Sequence, residues 1–358
     1  MINKTTEGLM LDNKMDLLHP LATCAMWDEL PAYPWQAGIM NRLYVRGSRE
    51  ILSTPNEAGK TSWLVSNAGL VCMSMFPGCQ VVSTAGVFRQ VSQQLWPEVR
   101  AKVGKFPDWS INEEKCTAPS IDGLPPSTWY IFATDDPLKA EGYHGRMYTN
   151  NKNERVYAPL LYIIDEAKGV NAGIFQAMFR CDPDFVLIVS TPGEETGEYY
   201  NIIDKYIENE RNGVEQKEVG VDWHYTKVTW KDCPHLMDGS KRVTREQLIR
   251  QYGIKNPFIQ SMVYGNFTKT GGFTIFNPDT LAVIATGTIS GGGSLTNGRY
   301  NPSTGKYYIG GNGSNGKPKI VVIDASNNTS TTITIAESGG VNNNTSTSIA
   351  LDTVRNFI

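Results

Sequence analysis

The feature that most constrains this chain is the loop at residues 53–61, whose sequence is STPNEAGKT. It lies between the short segment REIL and an apolar run with helical spacing, so the local order is strand, loop, helix. In that order the loop amides and the helix N-terminus point at a phosphate group, and the helix dipole favours its negative charge. The usual pattern has a glycine where this chain has Thr54. Without further support the motif also fits an ordinary helix N-terminus.

The residue types in this loop predict specific contacts with a nucleotide. Lys60 can reach the β and γ oxygens, and the Thr61 hydroxyl can join the ligands of Mg²⁺. Asn56 and Gly59 belong to the part of the loop that would surround the phosphates. We therefore expect all four residues to bind the nucleotide.

A strand that ends in carboxylates follows downstream. Residues 160–164, LLYII, are continuously apolar, as expected for a strand buried on both faces of a parallel sheet, and they lead into Asp165 and Glu166. Carboxylates in such a place need a cation or hydrogen-bond donors, because their desolvation is costly. Capping of the next helix is the alternative interpretation. Together with the upstream Lys60 and Thr61 they predict ATP hydrolysis, with Asp165 serving Mg²⁺ and Glu166 orienting or deprotonating the attacking water.

Short apolar strands alternate with helices as far as residue 270. Further strands are predicted at 79–85, 129–134, 185–189 and 223–230, and helices at 87–102, 172–179, 199–211, 245–253 and 257–265. Residues 104–128 and 135–155 are predicted to be irregular. The alternation predicts an α/β fold, a doubly wound and mainly parallel sheet with helices on both faces and ligand loops at the carboxyl ends of the strands. The nucleotide loop, Asp165–Glu166 and Ser190–Thr191 all follow such ends and should converge.

Two residue pairs outside the loop complete the candidate site. The hydroxyls of Ser190 and Thr191 are placed to sense the γ-phosphate. The alternative is a polar turn in which Pro192 ends the strand. Upstream of the loop, Trp35 and Gln36 offer a stacking face and a two-way amide for adenine. The alternative is a core tryptophan beside a surface glutamine.

Composition limits the class of protein. With 358 residues the chain can hold one large domain and a second piece, and its net charge of −3 confines any contact with nucleic acid to local patches. Its six cysteines contain no Cys-x-x-Cys spacing, which favours reduced thiols in a cytoplasmic setting and no zinc site. No apolar run reaches the roughly 18 residues of a membrane span.

We expect a lead-in at residues 1–33, an ATPase domain at 34–270 and a β-rich tail at 271–358 that is rich in Gly, Ser, Thr and Asn.

The order of these motifs resembles the ATPase domain of tailed-bacteriophage large terminases over about residues 30–270. The matching segments are PWQ at 34–36, PNEAGKT at 55–61, IIDEA at 163–167, STPG at 190–193 and DCPH at 232–235. The resemblance implies a P-loop NTPase fold with Walker A and Walker B motifs. It also implies a motor that moves double-stranded DNA into a procapsid in the host cell cytoplasm. Its partners would be a portal protein and a small terminase subunit, and it would work as a homo-oligomeric ring.

The resemblance fails in the tail, where the family continues into an RNase H-like nuclease. Asp324 follows an apolar strand at 319–323. It is the only candidate for a nuclease metal ligand, and a weak one. Cleavage with two metal ions needs several clustered carboxylates, and the only other acids of residues 281–358 are Glu337 and Asp352. The tail is a truncated nuclease, a degenerate one or an unrelated β appendage, and we expect no complete nuclease site.

Other functions remain open at this stage. A helicase-like or remodelling ATPase shares the nucleotide machinery but should carry arginine motifs on a second ATPase-like domain. A β-rich interaction protein with an incidental ATP site is the third possibility. The sequence also leaves the arginine finger open, with Arg46, Arg49, Arg89 and Arg146 as candidates.

Overall fold

The computed structural model describes residues 19–28, 30–133, 136–212, 223–237, 243–268, 272–276, 283–288, 295–301, 305–312, 318–324 and 329–334. The chain forms two compact units, Met1–Thr268 and Lys269–Ile358. We describe each unit by itself. The predictions for residues 1–18 of the lead-in, and for Glu337 and Asp352, lie outside the described residues.

The first unit is built on an eight-stranded sheet. Its strands and those of a separate hairpin are β1 (Ser48–Ser53), β2 (Gln80–Thr84), β3 (Ser110–Ile111), β4 (Lys115–Thr117), β5 (Thr128–Phe132), β6 (Arg146–Thr149), β7 (Arg155–Ala158), β8 (Leu160–Asp165), β9 (Phe185–Ser190) and β10 (Trp223–Lys227). The order in the large sheet is β10-β1-β9-β8-β2-β5-β4-β3, with every pair from β10 to β5 parallel and the last two pairs antiparallel. β6 and β7 form the antiparallel hairpin.

Helices connect these strands. They are α1 (Pro20–Cys24), α2 (Pro34–Leu43), α3 (Lys60–Val65 continuing as Ser66–Met75), α4 (Phe88–Gln90 continuing as Val91–Leu95 and Trp96–Val103), α5 (Ala172–Arg180), α6 (Glu198–Arg211), α7 (Arg245–Tyr252) and α8 (Pro257–Met262). Single 3₁₀ turns lie at Pro137–Ala140, Ala167–Gly169, Trp230–Asp232 and Pro234–Leu236. α3 opens with a wider π-helical stretch, in which the amides of Trp63 and Leu64 both bond to Gly59 O. No helix in the described part of the chain is long and apolar enough to cross a membrane.

The central strands are buried on both faces, because helices cover the sheet on each side. On one face Leu161 and Ile163 of β8 join residues of α2, α3 and α4 in one apolar cluster. On the other face Tyr162 and Ile164 of the same strand join Phe175 of α5 and residues of α6. The alternation follows from the two-residue period of a strand. The predicted α/β class with a large, mainly parallel sheet is confirmed.

Two predicted irregular regions contain regular structure. β3 and β4 lie within residues 104–128, where they extend the sheet edge in antiparallel pairing. The β6–β7 hairpin begins in the region predicted as a polar loop and continues beyond it to Ala158, and most of its residues are exposed. Neither segment has the apolar alternation that marks a half-buried strand, so a pattern-based reading misses both.

The second unit contains only antiparallel pairs among its described strands. These are β11 (Gly272–Phe276), β12 (Val283–Thr288), β13 (Leu295–Asn301), β14 (Lys306–Asn312), β15 (Pro318–Asp324) and β16 (Thr329–Thr334). β11 pairs with β12, and the other four form a sheet in chain order. The apolar strand that leads to Asp324, β15, is therefore the third of a four-stranded meander. Asp324 is its last residue and pairs in register with Thr329.

Candidate functional site

The candidate residues follow three neighbouring strands at the same edge of the sheet. In the parallel register Ser53 of β1 lies opposite Ser190 of β9, and Asp165 of β8 lies opposite Val189. The loop after β1, the carboxylates at the end of β8 and the hydroxyls at the end of β9 therefore meet. Ligands of open parallel sheets bind at this edge.

The loop after β1 presents a row of free amides. Ala58, Gly59, Lys60, Thr61 and Ser62 donate no backbone hydrogen bond to an acceptor in the described part of the chain. The last three are the first residues of α3, so the positive end of a helix dipole adds to these amides. Successive free amides of this kind bind anions. The arrangement fits a phosphate group.

The loop obtains its shape without a glycine at its first position. Its left-handed residues are Glu57, with φ of 62°, and Gly59, with φ of 86°. Thr54 is not among the residues with positive φ. It is buried, and its amide bonds to Ser190 O at 3.1 Å as an extension of β1. The backbone therefore does not require glycine at position 54.

Lys60 connects the three parts of the site. Its Nζ lies 2.9 Å from Oε1 of Glu166 and donates a hydrogen bond of 3.2 Å to Oγ1 of Thr191. The Thr191 hydroxyl in turn donates to Oδ1 of Asn56 at 3.3 Å. The Lys60 and Glu166 side chains are 8% and 14% exposed. A cation with so little water around it interacts strongly with any charge that enters the site.

Asp165 and Thr61, the two residues predicted to bind Mg²⁺, contact each other. The Thr61 hydroxyl donates to Oδ2 of Asp165 at 2.8 Å, and Oδ1 accepts from the amide of Glu166 at 2.9 Å. Burial raises the pKa of Asp165 to about 6, since desolvation outweighs the attraction of Lys60. A cation beside this buried carboxylate would offset part of the cost of its desolvation. Magnesium prefers oxygen ligands and usually keeps water and substrate phosphate in its shell, so a site with few protein ligands suits it.

Glu166 has an unusual backbone. Its φ of 49° and ψ of 45° place it in the left-handed region, which is unfavourable for a residue with a side chain. This conformation follows the strand end directly and orients the carboxylate toward Lys60. Strained residues of this kind are held by their surroundings and concentrate at functional sites.

The remaining predicted residues have other contacts. The Ser190 hydroxyl accepts from the Lys168 amide at 3.3 Å and donates to Thr191 O at 3.0 Å, so it supports the turn rather than contacting the loop. Gln36 is buried; its Oε1 accepts from the amide of Tyr33 at 2.8 Å, and its Nε2 lies 3.4 Å from Gly59 O. Trp35 is half-buried against apolar side chains. Their role toward adenine remains a prediction.

Sequence reasoning missed two residues that contact the loop. Arg245, from the first turn of α7, donates to Asn56 O and to the Glu57 carboxylate, and His235 contacts Glu57 O. Two of the arginines considered earlier lie elsewhere: Arg46 pairs with Asp184, and Arg49 donates to Pro183 O, just before the amino end of β9. Arg89 and Arg146 are exposed. The only sequence signal for Arg245 was its place after the helix cap Thr244.

Comparison with known proteins gives a consistent but distant likeness. No family model and no curated protein matches this chain. Among solved structures, the Thermus phage P74-26 large terminase ATPase domain is 15% identical with a TM-score of 0.45, covering 68% of this chain and 97% of that one. The large terminase of a thermophilic bacteriophage, solved in complex with ADP, is 13% identical with a TM-score of 0.48, covering 86% of this chain and 68% of that one. The Phi-28 gp11 DNA packaging motor is 12% identical with a TM-score of 0.35, covering 75% and 77%.

These similar structures are phage packaging proteins, the group that the order of sequence motifs resembles. Their low identities and TM-scores carry no argument about chemistry. Function therefore has to be argued from the site itself.

Proposed function

We propose that this chain is a P-loop ATPase. The observation that carries the proposal is the convergence of Lys60, Thr61, Asp165 and Glu166, through contacts of 2.9 Å between Lys60 and Glu166 and 2.8 Å between Thr61 and Asp165. A cation, a hydroxyl and two carboxylates at the mouth of a loop with free amides are the groups that phosphoryl transfer needs. They come from two separate sheet connections, Lys60 and Thr61 from the loop after β1 and Asp165 and Glu166 from the end of β8. Packing within one connection therefore does not explain why they meet.

The residues divide the chemistry between them. The loop amides and Lys60 bind the phosphate chain of ATP, and an incoming γ-phosphate competes with Glu166 for Lys60. Glu166, released from Lys60, orients or deprotonates the attacking water. Thr61 and Asp165 would hold Mg²⁺, which supplies charge neutralisation at the phosphates. Thr191, bonded to both Lys60 and Asn56, senses whether the γ-phosphate is present.

We further propose that hydrolysis drives translocation of double-stranded DNA into a procapsid. The support is the ordered set of sequence motifs, which resembles that of large terminases. On this proposal the chain works in the host cytoplasm as a homo-oligomeric ring, together with a portal protein and a small terminase subunit. The net charge of −3 means that local basic patches rather than a global field would contact the DNA.

Measurement of ATP turnover tests the proposal. The purified chain should hydrolyse ATP with Mg²⁺, and double-stranded DNA should raise the rate. Lys60→Ala should lower turnover at least about 100-fold, because transition-state charge loses its protein cation. Lys168→Ala, which removes an exposed lysine beside the site, is the matched control and should retain activity. Equal turnover in Lys60→Ala and the parent would reject the ATPase. DNA-independent turnover would reject the motor alone.

A further inference from the structure

A segment far along the chain binds the outer side of the nucleotide loop. His235 and Arg245, which we call the loop clamp, contact two consecutive loop carbonyls: Arg245 Nη2 donates to Asn56 O at 3.2 Å, and His235 Nε2 lies 2.7 Å from Glu57 O. Arg245 also binds the Glu57 carboxylate at 3.0 Å. Cys233 packs beside them, with Sγ 3.9 Å from Ala58 O. One side of the loop is thus covered by groups that bind carbonyl oxygens.

Both members of the clamp are themselves held in place. Arg245 is 6% exposed, although it lies in the first turn of α7. The His235 ring is parallel to that of Tyr33, with centroids 5.6 Å apart, and its Nδ1 lies 2.7 Å from the Tyr33 hydroxyl. A carbonyl oxygen only accepts, so Nε2 of His235 carries the proton in its bond to Glu57. The clamp therefore presents fixed donors.

Binding of the carbonyls determines where the amides point. In a trans peptide the C=O and the following N–H point in opposite directions. When Glu57 O faces His235, the amide of Ala58 therefore faces away from the clamp. That amide is the first of the free amides that run from Ala58 to Ser62. His235 and the first of these amides thus lie on opposite sides of one peptide plane, that between Glu57 and Ala58.

The loop has a specific need for such support. Glu57 adopts a φ of 62°, which is unfavourable for a residue with a side chain and requires its surroundings to hold it. His235 contacts the carbonyl oxygen of Glu57, and Arg245 binds its carboxylate. We propose that His235 and Arg245 are positioning residues that hold the loop in its phosphate-binding conformation before a nucleotide arrives. The inference rests on the proposed nucleotide site and extends it to a second segment of the chain.

Phosphate affinity is the direct test. MgATP and inorganic tripolyphosphate, which lacks the base, are titrated calorimetrically into the parent, His235→Phe, Arg245→Lys and Arg245→Ala. His235→Phe retains the ring against Tyr33 but removes the donor, so the fold should survive. The dissociation constants for both ligands should rise about tenfold in His235→Phe, which loses one hydrogen bond to the loop, and at least as much in Arg245→Ala, which loses two. Arg245→Lys should recover part of the loss.

Kinetics separates positioning from a general structural role. KM for ATP should rise with the dissociation constant, while kcat changes less than twofold, since Lys60 and Glu166 remain. Arg250→Ala, an exposed arginine on the same helix, is the matched control and should behave as the parent does. Affinities within twofold of the parent in His235→Phe and Arg245→Ala, or an effect confined to kcat, would overturn the clamp alone. A parent that binds neither ligand would reject the nucleotide site itself, and the clamp with it.

Discussion

The ammonium group of Lys60 lies 2.9 Å from the carboxylate of Glu166, and both side chains are nearly excluded from solvent. The lysine that should bind phosphate is thus paired with the glutamate that should activate water. Binding of a phosphate chain to Lys60 weakens this pair, because an anion replaces the carboxylate. On the proposed function, the ion pair would couple nucleotide binding in the loop to release of Glu166.

The first prediction separates the two partners of this ion pair. Glu166→Gln keeps the size of the side chain but removes its charge, so Lys60 becomes free for phosphate while water activation is lost. We expect ATP affinity to be equal to or higher than in the parent, and turnover to fall about 100- to 10,000-fold. Equilibrium nucleotide binding and steady-state hydrolysis measure the two quantities. Unchanged turnover would remove Glu166 from the chemistry.

The second prediction concerns Asp165 and pH. Burial raises the pKa of this carboxyl from 3.8 to about 6 in the folded protein, so between these values the folded state binds more protons than the unfolded state. The contribution of Asp165 to stability is therefore greatest at low pH and is lost as pH rises through about 6. Asp165→Asn should stabilise the nucleotide-free protein at pH 7 by at most about 3 kcal/mol, while Mg²⁺-dependent turnover is lost.

Thermal unfolding of Asp165→Asn at pH 5 and pH 7 checks this sign. The stabilisation should shrink at pH 5, where the native carboxyl is mostly protonated. In the parent, the affinity for MgATP should fall as the pH is lowered from 7 to 5, because a protonated Asp165 binds a cation poorly. Asp108→Asn, at an exposed position, serves as control. A mutant that is less stable than the parent at pH 7 would contradict the argument.

Thr191 carries the third prediction, which concerns coupling. Its hydroxyl accepts a hydrogen bond from Lys60 and donates one to Asn56. The next two residues form hydrogen bonds with the last part of the first unit: Pro192 O accepts from the hydroxyl of Ser261 in α8, and Gly193 O accepts from the amide of Thr268. Thr191→Val keeps the volume but removes the hydroxyl. ATP affinity should change less than about threefold, while DNA-stimulated turnover falls about five- to tenfold, in line with one lost hydrogen bond.

The control for this experiment is Thr196→Val, at an exposed position a few residues further on. Basal and DNA-stimulated rates measured side by side distinguish coupling from chemistry. If the DNA stimulation of Thr191→Val equals that of the parent, Thr191 belongs to a polar turn and has no sensing role.

Much of this site could be predicted because its signals are local. A strand, a glycine-lysine-threonine loop and a helix follow one another within a short stretch, and the apolar run before Asp165 predicts a strand buried on both faces. The parallel arrangement then brings their ends together, as Ser53 and Asp165 show. Each step needs only neighbouring residues and a general rule for parallel sheets.

The loop clamp could not be predicted in this way, because long-range packing creates it. His235 lies in a short 3₁₀ turn and Arg245 in an ordinary capped helix. The DCPH segment at 232–235 contains His235 but gives it no role, and no pattern distinguishes Arg245 from a surface residue. Only the fold brings them to Asn56 and Glu57. The β6–β7 hairpin was missed for a related reason, since exposed strands lack the alternation that burial imposes.

The last prediction concerns DNA cleavage by the tail. A nuclease that uses two metal ions needs several carboxylates around them, since each ion must exchange hydration for protein oxygen ligands. Residues 281–358 contain only Asp324, Glu337 and Asp352 as acids. Asp324 ends β15 opposite Thr329 of one neighbouring strand and Lys306 of the other, so neither register partner is an acid. The single carboxylate of Asp324 cannot place two metal ions on either side of a phosphate. We therefore expect the purified chain to leave plasmid DNA intact with Mn²⁺, under conditions in which it hydrolyses ATP. Cleavage that disappears in Asp324→Ala would show that the tail carries a nuclease site after all.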